Sequence, residues 1–208
     1  MKNESISRAD KKRSTRKSII DSSINLFLKQ GVNATQVGDI VEKSNIARGT
    51  FYIHFADKEG LLEYLLHSYN TELTEGLQPL FKNIKNQSIE KTLNIMAENI
   101  LDFLESNKVF VLIYADRMTS DKSINRLKDG VNPQMIDLIS SFFSREANCN
   151  KHQAILLTQG LLAMWMRMAL QHLFTKDLPR HEVINAVAIM TKGAVFSYLP
   201  ELKDKFKN

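Results

Sequence analysis

At 208 residues, 43% hydrophobic and 25% charged with only four prolines and eight glycines, the chain has the make-up of a globular protein rich in helix formers, which excludes a disordered chain and argues against a turn-rich all-β one. No apolar run nears the ~18 residues that cross a bilayer, no signal-peptide core follows the basic amino terminus, and the lone Cys149 makes no internal disulfide, so a cytoplasmic location without a membrane partner is expected. The net charge of +5 is uneven: residues 1–60 hold eleven Lys and Arg against seven Asp and Glu, and the remainder seventeen against sixteen, which is the footprint of an amino-terminal module facing a polyanion.

Residues 1–14 carry too little apolar surface to offset the cost of ordering, and are expected to form a flexible basic arm. From Thr15 a helical pattern begins, with Ile20, Ile24, Phe27 and Leu28 on one face and Gly31 ending it in the left-handed conformation. Thr35 has the side chain of an N-cap for a second, shorter helix whose buried stripe is Val37, Ile40 and Val41. Asn45 suits a left-handed turn. A third short segment runs from about Ala47 to His54, with Ile46, Phe51 and Phe55 able to pack inward. Asp57 can cap a fourth helix bearing Leu61, Leu62, Leu65 and Leu66. Beyond it the pattern is of long helices over about 57–83, 88–106, 108–118, 122–147, 151–175 and 179–199, with no alternation of period two long enough for a sheet.

Two short helices behind a longer one form the outline of a helix-turn-helix, whose second short helix enters the major groove of DNA. Its outer residues should be small near the backbone and polar toward the bases. Arg48, Gly49 and Thr50 meet that description, since Arg can pair with guanine through two bonds and Thr offers both a hydroxyl and a methyl. Tyr52, His54 and Lys58 add donors where phosphates flank the groove.

This stretch resembles the tetracycline-repressor (TetR/AcrR) family. The matching residues are Thr15-Arg16-Lys17, Ile19-Ile20, Phe27, Gly31, Thr35, Ile40, then the run Gly49-Thr50-Phe51-Tyr52-Ile53-His54-Phe55, Lys58 and Leu61. The resemblance implies that Thr35 sets a helix N-terminus on a phosphate, that Arg48, Gly49 and Thr50 face bases, and that Tyr52, His54 and Lys58 grip the DNA backbone. Asn45 departs from the family's usual Gly, and Ala47 from its common capping Ser, a loss of about 1 kcal/mol of capping. Whether the basic arm also touches DNA is left open.

The expected architecture is all-α: a flexible arm over 1–14, a helix-turn-helix DNA-binding domain over 15–56, and a helical effector-binding and dimerisation domain over 57–208. In the carboxy-terminal part, Gly160 to Leu170 is apolar nearly all round, as suits a helix buried on several sides. Leu162, Met166, Ala169, Leu173, Val187 and Ala194 are expected at a homodimer interface, the rival reading being a central helix buried in a monomer. The resemblance implies a small-molecule pocket among the middle helices, for which Met96, Ile100, Phe103, Phe110, Tyr114, Met118, Trp165 and Met168 are the candidates. Arg167 either points to solvent, meets Asp102 or Glu98, or holds an anionic effector. No catalytic constellation, metal cluster or cofactor motif is found. The functional expectation is a dimeric repressor of a pseudo-palindromic double-stranded DNA operator, released by an apolar or amphipathic effector. The alternative is the same fold binding many chromosomal sites and recruiting a protein partner.

Overall fold

The computed structural model describes residues 7–83, 89–119, 133–147, 149–175 and 177–205. The first six residues of the expected arm, the expected helix start at 122 and the Met118 side chain lie outside the described residues. Among the described residues every regular element is helical. The chain forms two compact units, Met1–Leu66 and His67–Asn208, so the division falls after Leu66 and not after Ala56 as the sequence suggests.

The first unit holds α1 (Arg8–Gln30), α2 (Val37–Lys43), α3 (Arg48–His54) and the opening turns of α4 (Lys58–Asn83). Helix α1 starts at Arg8, which corrects the expectation of a flexible arm up to residue 14. The Ser7 hydroxyl accepts from the Asp10 N–H at 3.1 Å and donates to its carboxylate at 2.6 Å. Once the buried half of a helix exists, each added residue gains a bond without a new nucleus, so a capped stretch of good helix formers extends it readily.

The buried stripe of α1 is Ile19, Ser22, Ser23, Leu26 and Phe27. It is rotated from the expected one, because Ile20 and Ile24 are half-buried and Leu28 is exposed. Ser23 is fully buried with its hydroxyl donating to the Ile19 carbonyl at 2.6 Å. The small side chain lets neighbours approach and its polar group is satisfied within the helix. Gly31 ends α1 at φ 85°, ψ 162°. That is not the left-handed helical region but an extended, positive-φ one that glycine almost alone adopts.

Gln36, and not Thr35, is the N-cap of α2, and the Asp39 carboxylate accepts from the Gln36 N–H at 2.8 Å. Asn45 has φ 52°, the left-handed turn expected of it. Ala47 is the N-cap of α3 and gives it no side-chain cap. Asp57 caps α4, its carboxylate accepting from the Gly60 N–H at 2.8 Å. Ile19, Phe27, Ile40, Phe51 and Leu61 are fully buried and make the unit's core.

The second unit holds the rest of α4, α5 (Ile89–Ser106), α6 (Lys108–Thr119), α7 (Pro133–Ala147), α8 (Lys151–Leu170), α9 (Arg180–Tyr198) and the short α10 (Glu201–Lys205), which the sequence did not signal. A π-helical turn, Gln171–Thr175, continues α8. Asn150 and Gln153 open α8 with a reciprocal capping box, at 3.0 and 3.2 Å. The core gathers Leu77, Phe81, Leu93, Met135, Phe142 and Leu161. Trp165 of α8 donates its indole N–H to the Thr191 hydroxyl of α9 at 3.1 Å.

Candidate functional site

Phe51 fixes the orientation of α3. It is fully buried, meets Tyr52 edge-on at 5.6 Å and leans on Phe55 at 5.9 Å. With that ring anchored, the opposite side of a helix seven residues long has to face outward. Arg48 and Gly49 are exposed, Thr50 and His54 half-buried, and Tyr52 and Ile53 are 45% and 70% exposed. A methyl group added at Gly49 would meet no atom within 4 Å. Nothing inside the unit therefore requires glycine there, and the bare backbone is left for an approaching surface.

Positive charge lies beside this face. The Arg16 guanidinium stacks over the Tyr64 ring at 4.2 Å and lies 5.1 Å from the Phe55 ring. Its Nε is buried and finds no hydrogen-bond partner among the described residues. Burial, and then the charges of Lys12 and Arg16, hold the His54 imidazole below the ordinary histidine pKa. The Lys58 ammonium donates to the carbonyls of Val32 and Thr35, each at 3.0 Å.

The second unit encloses a cavity of about 110 Å³ whose walls include Leu77, Met96, Ile100, Phe142, Trp165 and Val195. Among its lining residues only Thr191 and Lys192 carry polar side chains on the wall formed by α9, and the Thr191 hydroxyl already accepts the Trp165 bond.

Residues 19–65 match the family model of bacterial regulatory proteins of the tetR family. The chain is 26% identical over 189 residues to the HTH-type transcriptional regulator YuxN of Bacillus subtilis, covering 85% of this chain and 63% of that protein. The amino-terminal module, residues 19–65, is thus of the tetR family of bacterial regulatory proteins. A TetR-family protein of Syntrophomonas wolfei superposes with a TM-score of 0.71 at 20% identity, over 88% of this chain and 96% of that one. Thermus thermophilus FadR, a TetR-family repressor solved in complex with lauroyl-CoA, superposes at 0.63 with 17% identity, over 86% and 94%. At those identities the likeness is one of fold.

In this module the structure brings Arg48, Gly49, Thr50, Tyr52 and His54 together on α3. Thr35 does not join them. It is fully buried, and its hydroxyl donates to the Gly31 carbonyl at 2.8 Å, so it neither caps α2 nor reaches a phosphate. Lys58 spends two of its three donors inside the unit, on the Val32 and Thr35 carbonyls. Arg16, Lys12 and the exposed Ile53 were not among the expected contact residues. The only sequence signal for the first two was the basic character of residues 8–17.

Of the expected pocket residues, Met96, Ile100 and Trp165 line the cavity. Phe103 and Phe110 do not; they form an aromatic group with Tyr69, at 6.4 and 5.8 Å from its ring. Tyr114 is half-buried away from the cavity, and Met168 packs instead beside Leu101, Val183 and Val187. The expected interface residues also turn inward. Leu162 and Met166 line the cavity, while Ala169, Leu173 and Val187 are buried. Ala194 alone of that set is exposed. Arg167 is exposed as well, and it is Arg180 that pairs with Asp102.

Proposed function

We propose that this chain is a TetR-family transcriptional repressor that acts as a homodimer on a pseudo-palindromic operator and is released by an apolar or amphipathic effector. The observation that carries the reading is the outer face of α3, where an exposed guanidinium, glycine backbone and phenol and a half-buried hydroxyl stand over a fully buried Phe51. A helix seated in the major groove needs that combination of close backbone approach and directed donors.

A second copy of the chain supplies two such helices to a two-fold site. Leu156, Ile189 and Met190 are 63%, 67% and 47% exposed, and Phe174 and Tyr198 also face out of α8, its π-turn and α9. Exposed apolar side chains on two helices and the turn between them support an interaction face there. Added methyl groups at Gly160 and Gly193 would meet nothing, which leaves room for a partner's helices to come close.

The effector's buried part is hydrocarbon, because the cavity walls offer almost no free hydrogen-bonding group. The acyl chain of the ligand held by Thermus thermophilus FadR is of that chemistry. A ligand releases DNA only if it binds the non-DNA state more tightly. Helix α4 contributes residues to both units and is the element through which the preference is transmitted.

The test is operator binding by a duplex taken from the promoter beside the chain's own gene. Arg48→Ala should lower discrimination between that duplex and random DNA by about 1–3 kcal/mol. Equal discrimination by both proteins removes the reading face. For the effector arm, dodecanoic acid should raise the melting temperature of free protein more than that of the DNA complex; equal shifts remove the release mechanism.

A further inference from the structure

Thr191 of α9 is buried, at 5% exposure, in the wall of the second unit's cavity. A hydroxyl both accepts and donates. The Thr191 oxygen accepts from the Trp165 indole N–H at 3.1 Å, and among the described residues its own hydrogen meets no acceptor. The buried Thr158 of α8 behaves differently, donating back along its helix to the Ala154 carbonyl at 2.8 Å. An indole N–H only donates, so Trp165 cannot take the Thr191 hydrogen in return. The neighbouring Lys192 also lines the cavity, but it is half-buried and already engaged in a contact of its own. Apart from the indole, the rest of the wall is hydrocarbon and thioether, with Phe81, Phe142 and Phe143 facing Met96 and Met135. At about 110 Å³ the cavity is somewhat smaller than the ~150 Å³ apolar cavity that takes up a benzene ring, so it holds roughly five or six non-hydrogen atoms. The unbranched methionines can give way to a slight excess.

We propose that the cavity selects a compact, uncharged group carrying one hydrogen-bond acceptor, a ketone or ether oxygen, which takes the Thr191 hydrogen while its hydrocarbon body lies against the phenylalanines. This rests on the effector reading above and deepens it by naming the polar group that the effector buries. A pure hydrocarbon fills the same space but leaves the buried donor unused. A carboxylate is disfavoured at this position, because one neutral donor does not offset the hydration that a charge gives up. An acid therefore enters only with its head group left in water. The ligand's bond also acts on the bond already present. A hydroxyl that donates becomes a better acceptor, so an oxygen on Thr191 tightens the Trp165–Thr191 link between α8 and α9. Those two helices carry the exposed Leu156 and Ile189, which places the ligand's polar contact on the pair of helices proposed to meet the second copy.

The experiment titrates the full chain with cyclopentanone, with methylcyclopentane as its hydrocarbon counterpart and cyclopentanecarboxylate as its charged one. Trp165 is the only tryptophan of the chain, so its emission reports occupation of the cavity, and calorimetry gives the affinities. Thr191→Val removes the hydroxyl at nearly constant shape, Thr191→Ala is a second hydroxyl-free variant, and Thr191→Ser keeps the hydroxyl. The quantity read is the ratio of ketone to hydrocarbon affinity, in which a general loosening of the cavity cancels. That ratio should fall about three- to tenfold in Thr191→Val and Thr191→Ala, the range of one net hydrogen bond, and stay at the wild-type value in Thr191→Ser. An unchanged ratio in the hydroxyl-free variants overturns this proposal and leaves the effector reading standing. So does a carboxylate that binds more tightly than the ketone and loses its affinity in Lys192→Met, which gives the polar role to Lys192. If none of the three probes binds up to its solubility limit, the cavity takes no ligand of this size, and both this proposal and the effector reading fall.

Discussion

Lys58 separates two accounts of the same lysine, and Lys58→Met tells them apart. Its ammonium donates to the carbonyls of Val32 and Thr35, each at 3.0 Å, across 26 and 23 residues of sequence. Both acceptor residues are buried, Val32 at 4% exposure and Thr35 at zero. Methionine keeps the apolar stem and removes the charge, leaving two carbonyls of the α1–α2 connection without this donor. Hydrogen bonds to a charged group contribute roughly 1.5–3 kcal/mol each. One half-exposed ammonium serves both carbonyls and water competes for it, so the expected loss is about 2–3 kcal/mol for the pair and not the sum of two full bonds. Native-state hydrogen exchange reports that loss within the first unit alone. Amides of α1 and α2 that exchange only when this unit opens should speed up roughly 30- to 160-fold, with those of α8 and α9 unchanged. The salt slope of DNA binding should stay where it was. If exchange in α1 and α2 keeps its wild-type rate while the salt slope falls by about one per protomer, the clasp contributes nothing and Lys58 is a phosphate ligand.

Three other outcomes follow from the same structure. Gly49→Ala adds a methyl that meets no atom of the free protein, so it should stabilise α3 by about 0.5–1 kcal/mol yet weaken DNA binding, as urea titration and anisotropy would show; a variant that is more stable and binds equally well denies the close approach. Ile189→Asp, at a side chain 67% exposed, should leave the melting of the isolated protomer near wild type but shift sedimentation toward monomer at micromolar concentration; an unchanged dimer puts the interface elsewhere. Burial raises the Tyr114 pKa, so the fold keeps a proton that the unfolded chain gives up: stability is full below about pH 10 and falls as pH rises beyond it, and Tyr114→Phe should flatten that decline in urea midpoints measured from pH 9 to 11 by roughly the share owed to this phenol.

The parts of the candidate site legible in the sequence are those governed by short-range chemistry. The buried Phe51, the left-handed Asn45 and the Asp57 cap each follow from a residue and its neighbours within four positions. What escaped depends on contacts far along the chain. Thr35 has the right hydroxyl for a cap, but its backbone is drawn into the clasp of Lys58, and Gln36 begins the helix instead. Ser22 and Ser23 are buried although hydropathy ranks them below Ile20 and Ile24, because a close approach selects small size over oiliness. Arg16 is pinned by rings 39 and 48 positions later, Phe55 and Tyr64, and no local pattern marks it.

The same limit explains why the expected interface residues other than Ala194 lie inside. A helix that is apolar on every side announces burial without saying which side faces which neighbour. In α8 the choice falls on Ala154, Thr158, Leu161 and Ala169 for the interior, with Leu162, Trp165 and Met166 turned to the cavity, and it leaves Leu156, Gly160 and Ala163 outside. In α9, Thr191, Lys192 and Val195 line the cavity while Ile189, Met190, Gly193 and Ala194 face out. Two helices thus present a cavity on one side and an unpartnered apolar face on the other. Packed helices shift as units because interiors are dense and resist local deformation. On the proposed reading, an effector that swells the cavity therefore pushes on the backs of the helices that carry the outer face, and its influence on assembly and its influence on DNA share one mechanical origin.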